Sequence, residues 1–360
     1  MKKYILTLLV ALVASSAWSA KPTILTKCDT QARDRWVDSV FNTMTKRQRI
    51  GQLFVPVVYF ESNKQYAQYL QRLVRDNHVG GLLFGHGLVE KYVSVINYSQ
   101  SMAKVPLLIT LDGEWGLSMR MKNTPRFPHN MGLGAIADEK LLYDYGREVA
   151  RECREAGIHV NFAPVLDVNS NPANPVIGYR SFGEDPQLVA RLANAYSQGL
   201  EDGGVLSVGK HFPGHGDTST DSHKELPTVT HDVARLKATD LVPFQSYIDA
   251  GLSSVMVGHL NVPSLDPSGT PASLSKKITT ELLREKMGFE GLIFTDALDM
   301  KGAKSSTENN CVLAFLAGAD MLLASSSPVN DIVAFEKAVN QGRISMKDVD
   351  ARCRKVLAYK

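Results

Sequence analysis

Lys210, His211, His215, Asp217, Asp221 and His223 fall within a single run, Lys-His-Phe-Pro-Gly-His-Gly-Asp-Thr-Ser-Thr-Asp-Ser-His. An imidazole has a reference pKa of ~6.5, so it can donate a proton to a leaving atom and later accept one from water near neutral pH. Asp221 lies two residues before His223. On extended backbone such a pair shares one face, and the carboxylate can fix the tautomer of the ring and favour its charged form. Pro213, Gly214 and Gly216 oppose a helix here, so the run reads as a loop. It follows the apolar stretch Val205 to Val208, which places it where a strand ends. Enzymes built of alternating strands and helices keep their chemistry there. His215, flanked by glycines, reads as a structural residue of the turn.

The same pattern recurs along the chain. Apolar runs end in Leu111-Asp112-Gly113-Glu114, in Asp167-Val168-Asn169, in Gly258-His259-Leu260-Asn261 and in Thr295-Asp296-Ala297. A lone Asp after a strand is more often a cap or turn residue than a catalyst. Agreement among successive strand ends points instead to one rim of polar groups, because a charge there loses solvation unless a ligand or partner compensates it.

Eight apolar, β-branched runs can carry these ends: Gly51 to Tyr59, Val79 to Phe84, Val105 to Leu111, Ile158 to Val168, Val205 to Val208, Ser254 to Gly258, Gly291 to Thr295 and Ala319 to Leu323. Helical spacing fills the intervals over Lys64 to Asp76, Glu139 to Ala156, Asp185 to Asp202, Val233 to Ala250, Lys276 to Met287 and Asn309 to Ala317. Near-continuous apolar strands alternating with helices predict a parallel sheet covered on both faces. The expected fold class is α/β, a single-domain (β/α)8 TIM-like barrel, and a chain of 360 residues suits that fold with enlarged loops.

At the N-terminus, Lys2-Lys3, the apolar stretch Tyr4 to Ala14 and small residues through Ala20 have the order of a secretory signal. The expected organisation is therefore a signal peptide over 1–20, cut after Ser19 or Ala20, and a catalytic barrel over 21–360. The apolar core of the leader is short of the ~20 residues that cross a bilayer, so no membrane span is expected. Export, to the periplasm or beyond, permits disulfides. Yet Cys28, Cys153, Cys311 and Cys353 are widely spaced, lack a Cys-x-x-Cys pair and read as buried or half-buried free thiols. The 40 basic and 37 acidic residues leave a formal charge of +3, which falls to +1 without Lys2 and Lys3. No broad attraction to nucleic acid or anionic lipid follows from that balance.

The run from Lys210 to His223 resembles the signature of glycoside hydrolase family 3, in its β-N-acetylglucosaminidase branch. The resemblance extends from Arg49-Ile50-Gly51-Gln52-Leu53 to Ala319-Asp320-Met321. It takes in Phe162-Ala163-Pro164 and Ile177-Gly178-Tyr179-Arg180-Ser181-Phe182-Gly183. It implies that Asp296, in Phe294-Thr295-Asp296-Ala297-Leu298, is the nucleophile of a retaining glycosidase. It assigns the acid/base role to His223 supported by Asp221, and sugar contacts to Asp112, Arg120, Arg180, Lys210 and His211, with Glu114, His259 and Met300 also expected at the site. The strand-three motif of the family usually reads Asp-Gln-Glu-Gly-Gly, whereas this chain has Asp112-Gly113-Glu114-Trp115-Gly116. Trp115 thus adds an aromatic surface that could stack on a neighbouring sugar or close the barrel. Ala297 and Asp299 depart from the Asp and Ser frequent in the nucleophile motif.

The implied activity is an exo-acting β-N-acetylhexosaminidase working on peptidoglycan fragments or related saccharides, as a monomer. Phosphorolysis of the same bond and a catalytically silent sugar-binding barrel are the alternatives. Neither a metal nor an organic cofactor is implied, since protonic groups and a carboxylate suffice for the chemistry.

Overall fold

The computed structural model describes residues 22–59, 64–221, 225–303, 308–325 and 327–360. Its centre is a curled sheet of short strands: β1 (Phe54–Val55), β2 (Val57–Val58), β3 (Gly81–Phe84), β4 (Leu108–Leu111), β5 (Val160–Asn161), β6 (Leu206–Phe212), β7 (Ser254–Val257), β8 (Leu292–Thr295) and β9 (Leu322–Leu323). Seven of them, β8-β7-β6-β5-β4-β3-β2, form one sheet in which every pairing is parallel. β9 pairs in parallel with β1, and a bridge links Met321 to Phe294 at the end of β8. All positions of β3, β4, β6, β7 and β8 are buried, as expected when helices cover a parallel sheet on its outer face. This is the α/β class anticipated from the sequence.

The strands are shorter than the apolar runs that announce them. Gly51 closes a helix, and Pro56, lacking an N–H, separates β1 from β2. The run Ile158 to Val168 forms ladder bonds only at Val160–Asn161 and one bridge between Val165 and Lys210. β6 instead extends beyond its apolar run and carries Lys210 and His211 within the strand.

Helices pack around the sheet along their apolar stripes. Glu139–Glu155 and Pro186–Asp202 are capped by the side chains of Asp138 and Asp185, and Pro186 sits in the first turn, where its missing N–H costs nothing. The pair touches closely enough that a Cβ at Gly146 would fall 2.2 Å from the Tyr196 carbonyl oxygen. The single helix expected over Val233 to Ala250 is two, Val233–Ala238 and Leu241–Asp249, because Pro243 in the first turn of the second cannot donate into a continuous ladder. Asn309 caps Asn310–Ala317 through two backbone N–H groups.

Cys153, Cys311 and Cys353 are buried free thiols, but Cys28 is exposed, a correction to its expected burial. The short helix Thr23–Lys27 before it buries none of its residues, and the thiol donates back to the Leu25 carbonyl at 3.3 Å. Glu201 is a buried carboxyl near the end of its helix. It accepts from Ser207 Oγ at 2.6 Å and from Ser253 N–H at 2.9 Å. Burial raises its pKa to about 7 despite those bonds. Among the described residues no helix is long and apolar enough to cross a membrane. The expected signal peptide over 1–20 lies outside the described residues.

Candidate active site

Asp112 follows β4 directly, Lys210 and His211 lie in the last three positions of β6, and Asp296 follows β8, so alternate strands of the sheet deliver their side chains to one end of it. Arg120 and Arg180 come from short turns of 3-10 helix, Leu117–Met119 and Gly178–Arg180. All six line one cavity of about 290 Å³, together with Glu114, Trp115, Met119, Tyr179, His215 and Met300 among others. That volume lies just below the ~300–1,000 Å³ of typical small-molecule pockets.

The cavity charges are paired before any ligand arrives. Lys210 is 2% exposed, and its Nζ donates to Asp112 Oδ1 at 2.9 Å and lies 2.8 Å from Glu114 Oε1. Arg180 holds Glu114 in a bidentate clasp, Nη2 to Oε1 at 2.7 Å and Nε to Oε2 at 2.9 Å. Arg120 Nη2 donates to Asp112 Oδ2 at 3.2 Å. Burial opposes ionisation of Glu114, yet the Arg180 and Lys210 cations outweigh it and hold the carboxyl far below its ordinary range. Asp112 is likewise shifted down by Lys210 and Arg120 against its own burial. Lys210, desolvated but flanked by two carboxylates, ends above its ordinary value.

Asp167 organises the other wall. Its buried carboxylate accepts from His211 Nδ1 at 2.7 Å, from the His211 N–H at 3.2 Å and from the His215 N–H at 2.7 Å. His211 therefore presents Nε2 to the cavity, 3.3 Å from Arg180 Nη2, which donates to it. His215 is held by Thr218, Nδ1 to Oγ1 at 2.6 Å, and burial lowers its pKa to about 4. A Cβ at Gly216 would lie 1.7 Å from the Val168 carbonyl oxygen, so only glycine admits this close approach of the loop to the segment that follows β5.

Asp296 keeps partial contact with the cavity, and its Oδ1 accepts from the Ala297 N–H at 2.7 Å. Burial pushes its carboxyl up, but the His259 and His211 rings, the Ala297 N–H and the Lys210 ammonium outweigh that and leave it below its ordinary value. His259 lies behind this group and is absent from the cavity lining. Its Nε2 donates to the Ala297 carbonyl at 2.9 Å, so its Nδ1 accepts from Ser273 Oγ at 2.7 Å.

The structure thus gathers Asp112, Arg120, Arg180, Lys210, His211 and Asp296 in one cavity. Asp221 is part-exposed and is not among the lining residues, and its carbonyl accepts from the Glu225 N–H at 3.1 Å. His223 lies outside the described residues. Sequence reasoning put Asp167 on the rim but missed its hold on His211, and it gave Tyr179 no role. The signals were present, a strand-end carboxylate and a large aromatic beside Arg180, but neither names its partner. Among the described residues no group of three or more His, Cys, Asp or Glu side chains could hold a metal ion.

A cavity of paired carboxylates and cations at the strand ends of a parallel α/β sheet lies where folds of this class carry their functional sites. The profile of the Glycosyl hydrolase family 3 N terminal domain matches residues 45–359, and the chain belongs to that family. It is 36% identical over 300 residues to Beta-hexosaminidase A of Pseudoalteromonas piscicida, covering 76% of this chain and 50% of that protein. It is 35% identical over 336 residues to Beta-hexosaminidase LpqI of Mycobacterium tuberculosis, covering 88% of this chain and 83% of the relative. Among solved structures it resembles a glycoside hydrolase family 3 beta-N-acetylglucosaminidase from Paenibacillus sp. str. FPU-7, with a TM-score of 0.83 and 37% identity over 88% of this chain and 62% of the other. The chain therefore spans about half of the first relative and about three fifths of the solved one.

Proposed function

We propose that the protein is a retaining, exo-acting β-N-acetylhexosaminidase that removes terminal β-linked N-acetylglucosamine from peptidoglycan fragments or related saccharides. The observation that carries this reading is the position of the Asp296 carboxylate at the wall of a small cavity whose other charges are already paired. Relatives named beta-hexosaminidase and beta-N-acetylglucosaminidase support the choice of sugar.

In this mechanism Asp296 attacks the anomeric carbon, and the bond to the leaving oxygen breaks as that oxygen takes a proton from His223. Water then gives its proton to His223 and displaces Asp296, restoring the enzyme. Asp221 steadies the imidazolium. Asp112, Arg120, Arg180, Lys210 and His211 bind the hydroxyls by charge-assisted bonds, which are short and directional. The negative charge of Asp296 also stabilises the oxocarbenium-like transition state.

The fold reading goes further as well. A closed eight-stranded barrel in one domain is supported by the pairing of β9 with β1 and the Phe294–Met321 bridge, with β1 and β2 counted as one strand broken at Pro56. Cleavage of the leader after Ser19 or Ala20 would release the barrel into the periplasm as a monomer.

The test is product analysis with an aryl β-N-acetylglucosaminide, with and without inorganic phosphate. Free N-acetylglucosamine in both cases is expected. A sugar 1-phosphate would reassign the protein as a phosphorylase, and absence of turnover with retained sugar binding would make it a silent barrel.

A further inference from the structure

The mouth of the cavity is aromatic, and the charged floor fixes the position of the aromatic groups. Trp115 is adjacent in sequence to Glu114, and Tyr179 to Arg180. Glu114 and Arg180 form the bidentate clasp inside the cavity, so the bond that joins the two charged residues also sets the separation of the two aromatic ones. Their ring centroids are 6.2 Å apart, and the His129 ring lies 4.5 Å from each. Asn130, next to His129, donates from Nδ2 to the Arg180 carbonyl at 2.7 Å and ties the third ring to the same turn.

Exposure separates the two layers. The Glu114 side chain is inaccessible and Arg180 is mostly covered, while Tyr179 is 56% exposed. A large aromatic ring that lines a cavity and is more than half exposed is a surface awaiting a partner with an apolar face. Pyranose rings carry such faces, formed by their axial C–H groups. If the cavity encloses the terminal sugar, only the residue beyond the scissile bond can reach its mouth.

We infer that Trp115 and Tyr179, backed by the His129 ring, form the binding surface for the leaving-group sugar, making the enzyme selective for N-acetylglucosamine linked to a second pyranose rather than to a small aglycone. This rests on the glycosidase reading above. It assigns Trp115, which stands where the family motif usually has glycine, a part in substrate choice. Because the clasp holds the rings before binding, little conformational entropy is lost when the second sugar docks.

The test compares two substrates, the β-1,4-linked disaccharide of N-acetylglucosamine and β-N-acetylglucosaminyl fluoride, whose leaving group has no ring. Tyr179→Ala and Trp115→Ala are expected to lower the ratio of disaccharide to fluoride kcat/KM by roughly three- to tenfold, and Tyr179→Phe to keep it. An unchanged ratio in both alanine variants, with folding intact, overturns the inference. A second measurement does not need turnover. In an Asp296→Asn/Trp18→Phe/Trp36→Phe protein, which binds the disaccharide without cleaving it, Trp115 is the sole indole. Its fluorescence should respond more strongly to the disaccharide than to N-acetylglucosamine alone, whereas an equal response to both, or none, counts against the surface. If the wild-type protein cleaves neither substrate, the glycosidase reading fails, and the fluorescence result still decides whether the aromatic surface binds a second sugar.

Discussion

Asp167 holds His211 at both ends of the residue: its carboxylate accepts from the ring Nδ1 at 2.7 Å and from the backbone N–H at 3.2 Å. One buried anion thereby fixes the orientation of the imidazole and the path of β6 at the cavity. Asp167→Asn keeps the shape and removes the charge. The variant should lose about 1.5–3 kcal/mol of stability in denaturant unfolding, the range for a hydrogen bond to a charged group. It should also bind N-acetylglucosamine about tenfold more weakly by calorimetry. Unaltered affinity would show that His211 does not depend on this anion for its position.

Asp296→Asn should reduce turnover of an aryl β-N-acetylglucosaminide by several orders of magnitude with the melting temperature nearly unchanged. Near-normal activity would remove Asp296 from the nucleophile role.

The depressed value of Asp296 has a consequence for pH. A nucleophile is competent while ionised, so activity is lost only as pH falls through the folded-state value, which lies below the ordinary ~3.9 of an aspartate. With an activated leaving group that needs no protonation, kcat/KM should stay level on the acid side down to about pH 4. A limb centred near pH 6 in that assay would mean that Asp296 is not held ionised.

His223→Ala should divide substrates by leaving group. Those with acidic phenols should form the glycosyl-enzyme almost as before, and those with alkyl or sugar leaving groups should lose much more. Equal losses across a series of leaving groups would argue against general-acid work by His223.

Glu201 sets a pH dependence of stability at the opposite end of the strands from the cavity. Its folded value of about 7 lies above the ordinary 4.5. The folded form therefore holds the proton more tightly than the unfolded chain between those values, and stability falls as pH rises from the lower to the upper. The full loss is about 3 kcal/mol by linkage. Glu201→Gln should flatten the unfolding free energy between pH 5 and pH 8 relative to wild type. The same slope in both proteins would assign the effect elsewhere.

Much of this architecture is legible in the residues themselves. The eight apolar runs mark strands because a parallel sheet buried on both faces leaves no alternating pattern to misread, and the polar residues that end them mark the rim. Boundaries are less legible. Pro56 and Pro164 cut strands inside runs that look continuous, and Pro243 divides a helix whose apolar stripe continues across the break. The partners of charged residues were legible only as types. Nothing in the spacing of Glu114 and Arg180, or of Asp167 and His211, indicates that the chain folds to join them, since each pair belongs to different strand-end segments brought together by the curl of the sheet. Arg120 and Arg180 read in isolation as surface cations, and only the fold shows that each is spoken for by a carboxylate.

The paired charges of the cavity run in series: Arg120 to Asp112, Asp112 to Lys210, Lys210 to Glu114, Glu114 to Arg180, Arg180 to His211 and His211 to Asp167. Every inner member answers to two neighbours, so replacing one strands another, and the penalties of double replacements will not add. For divergence within a lineage this is a constraint of kind as well as degree. These positions are bound to drift as a linked set or stay still, while the aromatic side chains of the rim above them take part in none of these bonds and are free to be remodelled one at a time.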